Sequence, residues 1–456
     1  MSSAESVVDR TVISPPTTQA SKGRATESPS VLMRAVLVLS SMKLAVVLLV
    51  VLGLLTWLGT LAQIEGGLWK TQREYFESWG LIAELPLSIW GNALGTAESP
   101  WVIKIPLPGA YPVMILLFLN LLIGGMLRLK WQVRNVGVLI THVGIALLLV
   151  AGFVKLEYSY SGALALYESP KGSEGVSTRA YESSKFVSFH DYELALLKDD
   201  GETVEERVIP EADLGRARYE TVTLGAADLP FKVELHHFLD NCVPLPKGPM
   251  SLSTTPVMTS DDGSPGVFLQ PVKVNPERAS NSAGAYARVM VDGKKHAEGI
   301  LYGLDLQPRD RRRFPFTFEV AGQRYGLDLR KVVYDLPFSV RLERFVKRDH
   351  PGTMTAADYR SFVTVLDEGQ EREAQIFMNT PLRKDDFVVY QTSWGPQRGG
   401  RPAGGPPWYS VFEVSKNPSD QWPMYACFVI GIGLFLHMVL KLTRFLKSST
   451  RTTLTA

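Results

Sequence analysis

The run "LITHVGIALLLVAGF", residues 139–153, is apolar except for Thr141 and one titratable side chain, His142. Even a neutral imidazole carries a donor and an acceptor, and both need partners in an apolar setting. Whether this run crosses a bilayer therefore decides the fold class and what His142 is for. Read outward, the apolar stretch extends from about Val136 to Val154, close to the roughly 20 residues that a helix needs to span a membrane.

Three further segments approach that length. The first runs from about Ala35 to Leu61, "AVLVLSSMKLAVVLLVVLGLLTWLGTL", with Lys43 near its start. The second is "YPVMILLFLNLLIGGML", Tyr111 to Leu127, and the last is "MYACFVIGIGLFLHMVLKL", Met424 to Leu442. The competing reading, buried helices of a large soluble core, fails because no soluble domain here is large enough to enclose four such runs. The chain of 456 residues is 45% hydrophobic and 21% charged, which suits a few membrane helices plus one large water-exposed domain. A formal net charge of +2 shows no basic excess, so no nucleic-acid partner is expected.

Lys and Arg set the orientation. Arg34 and Lys43 precede or open the first span, "RLKWQVR" (Arg128 to Arg134) joins the second to the third, and "KLTRFLKSSTR" (Lys441 to Arg451) follows the fourth. All three basic ends share one side if both termini are cytoplasmic. Residues 1–33, rich in Ser, Thr and Pro, read as a disordered cytoplasmic tail. The first apolar run is too long for a cleavable signal, so it reads as a retained anchor. Residues 128–135 form the cytoplasmic turn and 443–456 the second tail.

Two segments are then expected outside. Residues 62–110 are rich in aromatics; Trp69, Tyr75, Phe76, Trp79 and Trp90 suit a membrane–water interface, and one or two surface-lying helices are expected there. Residues 155–421 show short alternating or β-branched runs, such as "FKVELHHFL", "FTFEVAGQRYGLDL" and "FVVYQTSW", separated by Gly, Pro, Asp and Asn. The expected fold is thus an α-helical membrane protein with four transmembrane helices and a large extracytoplasmic β-rich domain, sandwich or barrel-like, between spans three and four.

The common catalytic constellations are absent: no GxSxG, HExxH, P-loop or strand-following GxGxxG occurs. No catalytic residue is assigned. Cys242 and Cys427 form no CxxC, and a disulfide between them is not expected. On a regular strand His236 and His237 would point to opposite faces, which disfavours a shared metal. Arg311–Arg313 reads most cheaply as a solvated loop.

Several segments together resemble the ResB/CcsB family of cytochrome c biogenesis proteins. They are "SSMKLAVVLLVVLGLLTWLGTLAQIEGG", "YFESW", "LNLLIGGMLRL" and "NVGVLITHVGIALLLVAGFV", then "DLPFSVRLERFV", "YRSFVTV", "IFMNTPLRKDDFVVYQTSW" and "VSKNPSDQWPMYACFVIGIGLFLHM". They occur in the family's order and cover most of the chain beyond the tail, with residues 193–299 outside the likeness. The resemblance implies a membrane subunit of a System II cytochrome c synthase, not catalytic alone. Such a subunit works with a ResC/CcsA-type integral membrane protein to bring haem across the membrane for thioether attachment to apocytochrome c. It further implies haem b in transit, a bacterial cytoplasmic (inner) membrane or its thylakoid equivalent, and reducing power from a separate thiol reductant system of ResA/CcdA type. The chain stops after its fourth span, so the partner is expected to be a separate protein.

From the residues alone, His142 reads first as interhelical glue, helped by Thr141, and second as a haem ligand, since imidazole is a favoured axial donor. The resemblance reverses that order, because the matching family histidine is an intramembrane haem ligand. His437 in the fourth span is a rival ligand, and at about 1.5 Å per residue the two rings could share a level. Two alternatives stay open. One is a b-type electron carrier with an intrachain bis-histidine site; the other is a scaffold for the partner that never touches haem.

Overall fold

The computed structural model describes residues 30–86, 102–169, 181–199, 201, 203–210, 214–225, 228–248, 254–258, 266–303, 315–353, 355–395 and 408–454. Most of the N-terminal tail, Trp90 and Arg311–Arg313 lie outside the described residues.

Among the described residues four helices are long and apolar enough to cross a membrane: Met42–Ile64, Ala110–Leu127, Val133–Tyr158 and Trp422–Lys447. They lie within the helices α2 (Met42–Thr71), α3 (Ala110–Asn120, continued as a π-helical stretch Leu121–Leu127), α4 (Val136–Tyr158) and α5 (Trp422–Leu454). A short helix α1, Val31–Leu39, precedes the first and is separated from it at Ser40–Ser41. Ser41 ends the break by accepting a hydrogen bond from the Lys43 amide. Bare carbonyls near a bilayer are costly, and Asn120 of α3 supplies the missing donor. Its amide donates to Leu39 O at 2.6 Å and Ser41 O at 3.0 Å.

Helices α4 and α5 pack antiparallel along small residues. Gly137, Gly144 and Ala151 recur every seven positions on α4 and are all buried. They meet Ala426, Ile430, Gly433 and His437 of α5. Lipid tails are as apolar as leucine, so close backbone approach must supply the attraction that hydrophobicity supplies in water. At the other end Ser419 donates from its hydroxyl to Ala151 O at 2.9 Å. A Cβ on Gly137 would lie 2.5 Å from His437 N and 2.7 Å from Gly433 O, both backbone atoms that cannot swing aside. Gly137→Val is therefore expected to part the two helices, at a cost of at least about 1–3 kcal/mol. Thermal unfolding of the detergent-solubilised protein checks this, with Gly152→Ala as reference because nothing lies within 4 Å of a Cβ there.

Between the first two spans the described residues form a helical extension and a strand pair; the expected surface-lying helices are not found among them, and residues 87–101 lie outside the described residues. Helix α2 runs past the apolar stretch to Thr71, and a π-helical turn follows at Gln72–Phe76. The chain then forms an antiparallel pair, β1 (Gly80–Pro86) with β2 (Val102–Pro108). Aromatic composition does not report that pairing, whose two strands lie far apart in the chain and carry Pro86, Pro106 and Pro108. Pro lacks the amide that a helix interior needs.

The β-rich domain expected from alternation is present, and all its strand pairs are antiparallel. Its spine is two long strands, β4 (Glu182–Asp199) and β13 (Gln323–Asp349), central to a ten-stranded sheet. At one end this sheet covers a four-stranded sheet that includes β7 (Lys232–Leu239), β10 (Gly284–Val291) and β11 (Lys294–Tyr302). The sandwich core there contains Leu194, Leu235, Ala287, Leu301 and Leu327. At the other end the same sheet encloses a second core with Leu166, Phe186, Val340, Val363, Val389 and Phe412. Two-residue turns with positive φ, Ala321–Gly322, Asp292–Gly293 and Glu368–Gly369, set hairpin registers in the way a right-handed strand twist favours.

The domain sits on the far end of α2. Gly67 adopts φ 75°, ψ 167°, and a Cβ there would fall 2.0 Å from Pro276 O, so only glycine admits this contact. Beyond it, Trp69 is held between the guanidiniums of Arg278 (4.1 Å) and Arg73 (4.9 Å) and beside the His190 ring (5.5 Å).

Candidate functional site

His142 lies on α4, half-buried, against the π-helical stretch of the second span. Its ring packs on Gly125: a Cβ at that position would stand 3.3 Å from Cε1 and Nδ1 and 3.4 Å from Cδ2. Nδ1 is enclosed and has no hydrogen-bond partner. Thr141 does not serve it, because that hydroxyl donates to Gly137 O at 2.9 Å within its own helix. With Nδ1 enclosed, Nε2 is the nitrogen left for an incoming ligand. The apolar surroundings and the uncommitted Nε2 suit an axial haem ligand, whereas the hydrogen-bond acceptor that a ligating histidine ordinarily has for its other N–H is not supplied to Nδ1 by the described residues.

His437 projects from α5 and is also half-buried, with Nδ1 enclosed and unpartnered. Gly137 packs against its backbone. The two histidines thus start from backbone levels about 7.5 Å apart along α4, at 1.5 Å per residue.

His236 and His237 are brought together, contrary to the expectation of opposite faces. A register irregularity between β7 and β10 and a left-handed φ of 52° at His237 turn both rings to one side. Their Nδ1 atoms lie 2.8 Å apart, a hydrogen bond that needs the proton on one ring only. His236 stacks on Tyr286 at 5.7 Å, and its Nε2 lies 3.4 Å from Glu298 Oε1 without hydrogen-bond alignment. Among the described residues no group of three or more His, Cys, Asp or Glu is arranged to hold a metal ion.

His190 went unnoticed in the sequence, where it is one polar position in a strand. Its partner, Trp69, is distant in the chain, and no local signal links them. Burial pulls its imidazole below the ordinary value of 6.5, and Lys331 adds to this against the raising effect of Asp191. Burial lowers His236 likewise, helped by His237 and Arg288. A base with a depressed folded pKa binds more protons when unfolded, so its contribution is complete above about pH 6.5 and is lost as pH falls through the folded values. Thermal stability is expected to drop on acidification in this range, and His190→Gln and His236→Gln are expected to flatten the profile.

Cys242 is fully buried beside Leu269 and Tyr286, and burial pushes its thiol up to about 12. Since the thiolate is the nucleophile, Cys242 is expected to resist maleimide in the folded protein and to react after denaturation. Cys427 is exposed on α5. Mass spectrometry of the two cysteine peptides checks the difference.

Residues 317–403, which begin in the β12 strand (Phe316–Val320) and take in β13 and the strands that follow as far as Phe387–Gly395, match the ResB-like family. The chain is also 24% identical, over 174 residues, to Protein NrfI of Wolinella succinogenes. That alignment covers 34% of this chain and 18% of the relative, so the chain spans a small part of the protein it matches. The likeness read from the span and strand motifs is thus supported by both matches: a ResB-like region at residues 317–403, and partial similarity to Protein NrfI, in a chain with four candidate membrane helices among its described residues.

Proposed function

We propose that this chain is the ResB-type subunit of a haem-handling cytochrome c synthase. It works beside a ResC/CcsA-type membrane partner in delivering haem for thioether attachment to apocytochrome c. One observation carries the reading: the third span of a ResB-like chain holds an imidazole with an enclosed, unpartnered Nδ1. The basic ends favour both termini in the cytoplasm and the β-rich domain outside, at a bacterial cytoplasmic membrane or its equivalent.

In this reading haem b in transit supplies the iron and the vinyl groups, and the apocytochrome supplies the thiols. What this chain contributes is a neutral imidazole donor at His142 and an apolar wall that keeps water from it. With Cys242 buried and Cys427 on a membrane helix far from it in the chain, the two form no dithiol pair, so thiol reduction falls to a separate ResA/CcdA-type system. The β-rich domain, anchored on α2 through Gly67 and Trp69, braces the partner or the apocytochrome above the bundle.

Co-expression with a ResC/CcsA-type protein tests this. The two are expected to co-purify with haem and to mature a c-type cytochrome, whereas this chain alone yields no mature product. Failure to associate or to raise mature cytochrome would reject the reading. A second reading has its own support: His437 also presents an enclosed, unpartnered Nδ1 on the helix packed against α4. A b-type carrier using both rings would bind haem as the isolated chain, with a low-spin bis-imidazole spectrum that His437→Ala abolishes.

A further inference from the structure

The geometry around His142 points to a second residue, and the inference rests on the ligand reading above. We propose that Gly125 is the positioning residue for His142: by lacking a side chain it seats the imidazole face-on and so sets the direction of Nε2. The three ring atoms nearest to a Cβ at position 125 are Cε1, Nδ1 and Cδ2, at 3.3, 3.3 and 3.4 Å. These atoms lie around the ring, not along one edge. A point nearly equidistant from all three sits over the ring plane. The glycine therefore backs the face of the imidazole, and the in-plane lone pair of Nε2 runs alongside the second span.

The local fold is built for this contact. Residues Leu121–Leu127 form a π-helical stretch, an arrangement that is rare and concentrates at functional sites. Each wider turn holds an extra residue, which changes the face presented to α4. The adjacent Gly124 serves a different neighbour: a Cβ there would lie 2.9 Å from Ser40 O, at the break between α1 and α2. The paired glycines thus let two elements approach one wide turn, backbone on one side and imidazole on the other. An alanine at 125 would displace the ring by a few tenths of an ångström; a valine would push it well off its seat. Axial bonding follows the direction of the lone pair, so a displaced ring weakens the bond without removing the donor.

The test uses the complex co-expressed with its ResC/CcsA-type partner, carrying Gly125→Ala, Gly125→Val, His142→Gly or, as reference, Gly152→Ala. Haem per complex and the absorption and electron paramagnetic resonance spectra are read at equal complex levels. Gly125→Ala is expected to keep haem with shifted ligand-field features. Gly125→Val is expected to lower haem affinity by about tenfold or more, as loss of a supporting contact to a metal-ligating His does. Gly152→Ala should match the parent. If His142→Gly keeps the parent spectrum, the ligand reading itself fails. If His142→Gly loses it while Gly125→Ala is spectrally identical to the parent, the seat is overturned and the ligand reading stands. Gly125→Ala decides between these outcomes even where Gly125→Val does not accumulate.

Discussion

Replacing His142 with glycine is expected to strip haem from the complex and to lower the yield of mature c-type cytochrome by at least about 10–100-fold, the loss typical of removing even an outer-shell partner of a metal site. The side chain's enclosed Nδ1 has no hydrogen bond to lose. A purely structural account therefore predicts only a small change in stability, from lost packing on Gly125. The two accounts separate cleanly: structure predicts normal haem at slightly lower complex levels, and ligation predicts normal complex levels without haem. Added imidazole, which can enter the space vacated by the ring, should restore the spectrum of His142→Gly. Absorbance at matched protein concentration, with and without imidazole, is the measurement. Unchanged haem and product in the variant would leave the scaffold reading standing.

The largest effect on stability is expected in the β-rich domain, at Arg330. Its side chain is 12% exposed and bonds through Nε to Glu193 Oε1 at 2.7 Å, where Glu193 is 6% exposed. A second pair of contacts reaches Glu206 on the neighbouring β5 strand (Val204–Pro210), one of them at 3.2 Å. The cluster crosses the seam where β5, β4 and β13 lie side by side. Arg330→Met keeps the apolar stem but leaves Glu193 as a buried carboxylate without its partner. Breaking one side of such a pair costs about 3–5 kcal/mol, whereas replacing both sides with apolar residues is often neutral. The single variant should lose roughly 6–20 °C of thermal stability for a domain of this size. Arg330→Met with Glu193→Leu should recover much of it. Equal losses in the single and double variants would show that the pair contributes through packing alone.

Where the sequence was legible, one physical rule at a time decided the outcome. Apolar runs of spanning length mark the four candidate membrane helices because a helix satisfies its backbone groups within a single segment in lipid. Alternation marks "FTFEVAGQRYGLDL" as strand, and the structure folds it into a hairpin turned at Ala321–Gly322 with positive φ, as such turns require. Where it was not legible, two distant segments had to meet. The β1–β2 pair, the Trp69–His190 contact and the Asn120 cap on the α1–α2 break each join residues that no local pattern connects. The His236–His237 pair was misread for a different reason. Period-two alternation holds only on a regular strand, and a left-handed residue at a register shift cancels it.

By itself the sequence determined that His142 stands in an apolar helix, because hydropathy and length are properties of a single segment. It also carried the likeness to the ResB-like family, which a family match at residues 317–403 supports. Only the tertiary structure decided that the ring lies on Gly125, that Thr141 turns away to its own helix, and that Nδ1 is left without a partner. Those facts depend on how a π-helical turn on one span meets the face of another, and such meetings are set by packing between helices.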